Sequence, residues 1–443
     1  MKPITAAQIA DAAGGTIIAG DAGVFANSVS TDSRTVSKEC VFVALRGDNF
    51  DGHAYVNDVA QSGVTVAVVD RDVAAPAGVT LVRVPDTRRA LGRLASVVRR
   101  SITRPKVIAI AGSNGKTSTK NTLHAVLSQA LRGSASPKSF NNDIGVPATL
   151  FPVSPDDDYV ILEIGTNHPG EVEYLSRMSE PDIAVITSIG EEHLEFFGSL
   201  DAVRDENAAI TRGLREAGLL VACDDSGLSQ RLQFEGKTLR FGDDSFLRAT
   251  NIRVTLEGTS FEVAGERFSL PAIGAHFARN ALAIIAVARH MGLSDEQIQK
   301  GLAAADASDM RMQRREHAGV TVLNDAYNAN PTSMLAAIET LQHLEWRGRK
   351  IAVVGDMKEL GEHSSEAHDR MANALAAAKF DAVFAVGAAW RAPAERIGAT
   401  WLPDADAAAP QVVVDTRPGD LVLLKGSRSM KLERVADALA ARP

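Results

Sequence analysis

The sequence predicts an α/β protein of three domains, and three observations carry that prediction. Short apolar runs that stop at Gly or a polar residue alternate with helical patterns through the middle and end of the chain. Two seams interrupt this rhythm. One apolar run also delivers a glycine-containing turn onto the start of a helix, the pattern of a phosphate cradle. The 443 residues fit about three domains at ~150 residues each.

Taken in order, the first ~100 residues mix strands and helices without a phosphate loop. Near Arg99–Lys106 the basic stretch Arg-Arg-Ser-Ile-Thr-Arg-Pro-Lys, with Pro105, reads as a linker. The runs Val107–Ala111, Tyr159–Glu163, Ile183–Ile189 and Leu219–Cys223 then read as buried strands of a parallel sheet. Between about 236 and 270 the pattern alternates (Ile252, Val254, Leu256; Phe261, Val263), which predicts an antiparallel excursion. A second seam falls at Met310–Ala318. Beyond it Val320–Asp325, Ile351–Asp356, Ala382–Gly387 and Leu421–Lys425 restore the parallel rhythm. No internal repeat or low-complexity tract is visible.

Composition removes several classes of function. With 47 Lys+Arg against 55 Asp+Glu the net charge is −8, so nothing draws the whole chain to nucleic acid or anionic membrane. Aromatic residues make up 5%, too few for a surface that stacks single-stranded bases. The longest stretch free of Asp, Glu, Lys and Arg is thirteen residues, Ala326 to Ile338, short of the ~18 that suggest a membrane span. The N-terminal residues run straight into an amphipathic helix pattern rather than an export signal. Two cysteines, Cys40 and Cys223, build no disulfide framework and fit a reducing, cytoplasmic setting.

In a parallel sheet ligands bind beyond the carboxyl ends of strands, so the residues ending each run carry most information. After Val107–Ala111 comes Gly112-Ser113-Asn114-Gly115-Lys116-Thr117-Ser118, then a helix-compatible run to Leu131. Free N–H groups and the helix dipole there favour phosphate; Lys116 adds a charge and the Thr117 hydroxyl can ligate Mg²⁺. The general pattern wants a further Gly at 110, where this chain has Ile110 still in the strand. Glu163 ends its strand beside this loop, placed to hold Mg²⁺ directly or through water, although an exposed strand exit explains such a residue equally well. His193 could be a second metal ligand; a lone histidine is more often structural. Asn167, Gly170 and Glu171 read equally as an ordinary loop. Further on, Asp325 opens Asp325-Ala326-Tyr327-Asn328-Ala329-Asn330-Pro331, Asp356 opens Asp356-Met357-Lys358-Glu359-Leu360-Gly361, and Lys425 opens Lys425-Gly426-Ser427-Arg428. Turn chemistry alone enriches such residues, but three polar clusters at matching strand ends describe one crevice.

These segments resemble the Mur ligase family along essentially the whole chain. The resemblance rests on Thr31-Asp32-Ser33-Arg34 and Asp51-Gly52-His53, on the phosphate loop, and on Asn141-Asn142-Asp143-Ile144-Gly145-Val146-Pro147. It also rests on Glu163–Glu171, on His193–Ser199 and on the three late clusters. The Tyr327–Pro331 and Gly355–Gly361 segments resemble the dipeptide-adding branch, and no Asp-Asn-Pro-Arg of the diaminopimelate-adding branch is present. The resemblance implies a small α/β UDP-substrate domain at 1–103 and a central parallel-sheet P-loop ATPase domain at 104–314. A C-terminal Rossmann-like α/β domain at 315–443 would bind the incoming dipeptide. It implies ATP and Mg²⁺ as cofactors, and as partners a UDP-N-acetylmuramoyl-tripeptide and D-alanyl-D-alanine, in a monomer. The tripeptide carboxylate would be phosphorylated and the acyl phosphate attacked by the dipeptide amine.

Residue by residue, the resemblance assigns catalysis to Lys116, Glu163, His193 and Arg311, with Arg311 reaching across the second seam to the phosphates. Mg²⁺ would be held at Thr117 and Glu163, with a second ion near His193. Gly112–Ser118, Asn280 (adenine) and Asp325 (ribose) would hold the nucleotide. Thr31, Asp32, Ser33 and Arg34 would hold uridine, and Asn141 and Asn142 also join the substrate set. Asn328, Asn330, Ser427 and Arg428 would face the dipeptide. Three departures qualify this. Many members carry a carbamylated lysine where alignment from His193 places Asn207, so Asn207 or Glu206 is expected to shape the second metal site without a carbamate. The usual His-Asn pair is here His276-Phe277. A usual Gly-Arg is Met310-Arg311, a stiffer hinge. Two other readings stay open: a related ligase adding a single amino acid, and a nucleotide-binding switch that condenses nothing. In the ligase reading the third domain closes onto the others once substrates bind.

Overall fold

The computed structural model describes residues 2–306 and 309–442. The helix Ala6–Ala13 opens on a capping box in which Thr5 and Gln8 satisfy each other's backbone N–H. A five-stranded sheet follows in the order Thr16–Ala19, Thr80–Arg83, Val66–Val69, Cys40–Val43, Ser28–Ser30. Its neighbours run parallel except for Thr16–Ala19 against Thr80–Arg83.

The helix Thr87–Ser101 carries the chain toward the middle of the molecule. Its Arg99 corrects the reading of the first seam as a plain basic linker. The Arg99 side chain is wholly buried and pairs with Asp182 at 2.7 Å. It also donates to the carbonyl oxygens of Ser179, Glu180 and Ile102. The same Asp182 oxygen accepts the backbone N–H of Val107 at 2.9 Å. A guanidinium has enough donors to satisfy several buried carbonyls at once, so the seam is a fixed joint.

The central sheet has six strands in the order Gly133–Ala135, Tyr159–Glu163, Lys106–Ala111, Ile183–Ile186, Leu219–Cys223, Lys237–Phe241, all parallel. Lys106–Ala111 lies inside the sheet with Tyr159–Glu163 on one side and Ile183–Ile186 on the other. Strand order reverses there, which opens a crevice at its carboxyl end. The antiparallel excursion begins later than its pattern suggests: Lys237–Phe241 belongs to the parallel sheet as its edge. An edge strand is half exposed, so it alternates as an antiparallel strand does. The separate antiparallel sheet comprises Thr250–Thr255, Gly258–Val263 and Glu266–Leu270.

The last sheet runs Gln313–His317, Val320–Asp325, Leu421–Lys425, Lys350–Gly355, Ala382–Val386, Thr400–Leu402. All pairs are parallel except the first. Half of the second seam is therefore strand. Met310 and Met312 both sit in the left-handed region, at φ +52° and +51°, a conformation glycine adopts without strain and methionine does not. Among the described residues no helix is long and apolar enough to cross a membrane.

Replacing Arg99 with Leu takes the buried partner from Asp182 Oδ2 and the donors from the Ser179, Glu180 and Ile102 carbonyls, leaving Asp182 with Arg215 and Val107 N. The expected cost is about 3–5 kcal/mol, read as a lowered melting temperature by calorimetry.

Candidate functional site

The phosphate loop is shaped by two glycines and by a neighbouring segment. At Gly112 (φ +125°) a Cβ would meet Thr187 Oγ1 at 2.2 Å, and at Gly115 (φ +85°) it would meet Asn280 Nδ2 at 2.6 Å. Ser113 Oγ accepts from Gly190 N at 2.9 Å, and Asn114 N donates to Ser188 Oγ at 2.9 Å. Thr187 Oγ1 donates to the Asn114 carbonyl at 2.6 Å. The segment at 187–190, which the sequence assigns to the strand, is therefore a brace for the loop. The helix Lys116–Leu127 starts at Gly115 without a side-chain cap, leaving its first N–H groups facing the loop. Lys116 Nζ donates to the Gly112 carbonyl and lies 3.6 Å from Glu192 Oε2.

Glu163 ends its strand 2% exposed, so the solvent-exposed alternative is excluded. Its Oε1 accepts from Thr117 Oγ1 at 3.0 Å and from Asn141 Nδ2 at 3.2 Å, while Lys120 Nζ stands 3.2 Å from Oε2. Lys120 is not among the sequence-predicted site residues; its place one helical turn beyond Lys116, on the same face, is the signal for it. Arg311 crosses the second seam. Its Nη2 donates to Thr117 Oγ1 at 3.1 Å, with the guanidinium 3.8 Å above the Tyr327 ring. The Tyr327 hydroxyl in turn pairs with Ser139 Oγ at 2.8 Å.

His193 stands at φ +49°, with Nδ1 2.6 Å from Glu359 Oε2 and Nε2 4.0 Å from Glu192 Oε2. Neither Glu192 nor Glu359 is among the predicted site residues. Glu206 and Asn207, expected at the second metal site, are both engaged in hydrogen bonds within the protein. Glu206 accepts from the backbone N–H of Gly170 and Val172 and from Thr166 Oγ1, capping the helix Glu171–Ser179. Asn207 Nδ2 donates to the Val203 carbonyl of its own helix at 2.9 Å. Asn167 and Glu171 form a local turn, Glu171 accepting from Asn167 N at 2.6 Å.

The late clusters meet in one crevice. Lys425 Nζ pairs with Asp325 at 2.8 Å and donates to the Asn328 carbonyl at 2.7 Å. Ser427 Oγ accepts from Lys358 N at 2.9 Å, and Lys358 Nζ pairs with Asp356 at 2.8 Å. Asp325 also accepts from Met312 N at 3.1 Å, tying the seam to the sheet. Asn330 caps the helix Pro331–His343 and donates from Nδ2 to Asn114 Oδ1 at 2.9 Å, so it touches the phosphate loop. Asn328 Oδ1 is turned to Ala329 N, and Asn142 Oδ1 accepts from Gly145 N as a helix cap. Arg428 pairs with Glu433 at 2.8 Å. Burial pushes the His276 imidazole down to about 4, leaving it neutral near Asp325 and Lys425.

In the first domain Thr31–Arg34 turns away from the end of the edge strand Ser28–Ser30, with Arg34 and Asp32 paired at 2.7 Å. That pairing holds the Asp32 carboxyl down at about 2. The His53 side chain is fully buried between Asp51 and Asp70 and accepts from Asp70 N at 3.1 Å.

Two buried polar atoms beside the phosphate loop, Asn114 Nδ2 and Glu192 Oε1, have no hydrogen-bond partner, and Glu163 Oε2 has only the Lys120 ammonium near it. Buried polar groups are otherwise almost always satisfied, so this set fits a bound nucleotide and divalent cation. Among the described residues no three His, Cys, Asp or Glu side chains form a metal cage. Mg²⁺ suits such a place, since it takes one or two carboxylates and completes its shell with phosphates and water.

The fold and this site define an ATP-dependent ligase of carboxylates and amines, and the chain belongs to the Mur ligase family. Family models match the Mur ligase family catalytic domain at residues 26–99, the Mur ligase middle domain at 110–288, and the Mur ligase glutamate ligase domain at 310–428. Within the family, the chain is 35% identical to UDP-N-acetylmuramoyl-tripeptide–D-alanyl-D-alanine ligase of Bacillus subtilis, over 94% of each chain. It is also 35% identical to the same-named enzyme of Escherichia coli, over 99% of each. The crystal structure of MurF from Acinetobacter baumannii superposes over 100% of both chains with a TM-score of 0.91 at 31% identity. MurF of Thermotoga maritima in complex with ADP gives 0.83 at 27% identity, covering 94% of this chain and 97% of that one.

Gly115→Ala places a methyl group against Asn280 in a backbone region alanine avoids. It is expected to weaken ADP binding at least about tenfold by calorimetric titration. Gly170→Ala, at φ +90° with open space around it, is expected to leave ADP affinity unchanged.

Proposed function

We propose that this chain joins D-alanyl-D-alanine to the carboxylate of UDP-N-acetylmuramoyl-tripeptide at the expense of ATP, releasing ADP and phosphate, as a step of peptidoglycan precursor synthesis. The observation that carries this reading is the meeting of Thr117 and Glu163, beside Lys116, with Arg311, which reaches in from the seam that leads into the third domain. The chemical difficulty is to bring an anionic carboxylate to an anionic γ-phosphate, so cations must dominate the site. In this reading Lys116 and the N–H groups at the start of its helix bind the phosphates. Thr117 and Glu163 would hold the Mg²⁺, whose charge offsets the repulsion between the two anions. Arg311 steadies charge on the transferred group, and the resulting acyl phosphate is taken by the dipeptide amine.

Asn280 against the phosphate loop and Asp325 at the seam supply the adenosine side. Residues 1–103 hold the uridine nucleotide with Thr31–Arg34, 104–314 hold ATP, and 315–443 present the dipeptide near Asn328, Ser427 and Arg428. Asn330 serves that domain as its helix cap and as its contact to Asn114. The chain is read as a monomer, and the free thiols Cys40 and Cys223 suit the cytoplasm. In this reading the third domain swings in once ATP and the UDP-peptide are bound.

Phosphate release is expected only when ATP, UDP-tripeptide and dipeptide are all present, with single amino acids failing to replace the dipeptide. Lys116→Ala is expected to lower turnover by at least about 10²–10³-fold. Phosphate release without either acceptor would identify a nucleotide switch instead.

A further inference from the structure

The geometry points to Glu192 as the carboxylate that, together with His193, holds a second divalent cation when nucleotide is bound. This rests on the nucleotide-binding reading of the phosphate loop. Glu192 is 6% exposed, and its Oε1 is buried without a hydrogen-bond partner. Its Oε2 has two near neighbours, Lys116 Nζ at 3.6 Å and His193 Nε2 at 4.0 Å, neither within hydrogen-bond distance. A carboxylate this buried is costly to leave unpaired. Lys116, meanwhile, is held by the loop carbonyls of Gly112 and Ser113, positions from which incoming phosphates draw it. Once Lys116 turns to the phosphates, Glu192 loses its ammonium neighbour while anionic phosphate arrives beside it. A cation then has to enter.

The surrounding groups leave that role to Glu192. Glu206 is spent on the helix at Gly170 and Val172, and Asn207 on Val203. Glu191 pairs with Arg370 at 2.6 Å. Glu359 stands on the Nδ1 side of the His193 ring, which leaves Nε2 as the nitrogen free to ligate. Nε2 faces Glu192. One carboxylate, one imidazole, phosphate oxygens and water make a donor set that Mg²⁺ or Mn²⁺ accepts.

The test counts Mn²⁺ by electron paramagnetic resonance on the full chain with a non-hydrolysable ATP analogue. The expected result is two bound ions in the unaltered chain and in Asn207→Ala, and one in Glu192→Gln. Second-site affinity in Glu192→Gln is expected to fall by about 10–100-fold, with analogue affinity held within about threefold. His193→Ala removes the same ion, so the test survives a Glu192 variant that does not fold. Two ions of unchanged affinity in Glu192→Gln or in His193→Ala overturn the inference. A chain that binds the analogue and two ions yet forms no dipeptide product overturns the proposed reaction and leaves the Glu192 site standing.

Discussion

Glu163 and Glu192 are both nearly shut off from solvent, at 2% and 6% exposure, and carboxylates so placed persist only where cations or hydrogen-bond donors meet them. The helix that follows the phosphate loop answers this need twice. Lys116 faces Glu192 and Lys120, one turn on, faces Glu163. The pairing works only if the helix starts at Lys116, which in turn needs the turn that Gly112 and Gly115 make possible. It also needs Glu163 and the 187–190 segment on either side of the loop, and the strand order of the central sheet delivers both. The electrostatic demand and the topology are thus one constraint. Removing the strand reversal at Lys106–Ala111 would leave the two carboxylates without their lysines.

The third domain is held to this centre by residues that emerge from the carboxyl ends of its own strands. Tyr327, Asn330 and Glu359 reach Ser139, Asn114 and His193 respectively. Because two parallel sheets face each other end to end, the loops that bind ligand on each are also the loops that touch. Docking and ligand capture therefore draw on the same side chains. The hinge between them is Met310–Met312, held in place by Asp325 through Met312 N. Two left-handed methionines mark it as a defined bend rather than a free swivel.

What could be read from the sequence follows from how local each feature is. The parallel rhythm, the phosphate loop and the carboxylate at Glu163 are set by contiguous residues, and the structure places them as read. Asn330 and Asn142 were legible as polar residues at turns, yet their hydrogen bonds go to helix starts, a use of Asn that spacing does not separate from ligand binding. The hydrogen bonds of Glu206 are not legible in the sequence because its partners lie 34 and 36 residues away. The burial of Arg99 was hidden for the same reason: eight residues of basic, proline-containing sequence look like a linker until Asp182 and the carbonyl of Ser179 are brought beside them. Glu192 and Lys120 became visible only when the helix and the loop at 190 were set face to face.

Arg311 shows how the domains and the chemistry are joined. The Thr117 hydroxyl has one proton, and it is given to Glu163; the Arg311 guanidinium takes a lone pair of the same oxygen. A hydroxyl oxygen carries two lone pairs, so Thr117 keeps one for a cation while Arg311 occupies the other. The planar guanidinium lies over the Tyr327 ring, which holds its plane beside the start of the phosphate-loop helix. One side chain thus ties the seam leading into the third domain to the phosphate loop and sets a fixed positive charge beside the Thr117 hydroxyl, so the contact that joins the domains also places charge where phosphate binds.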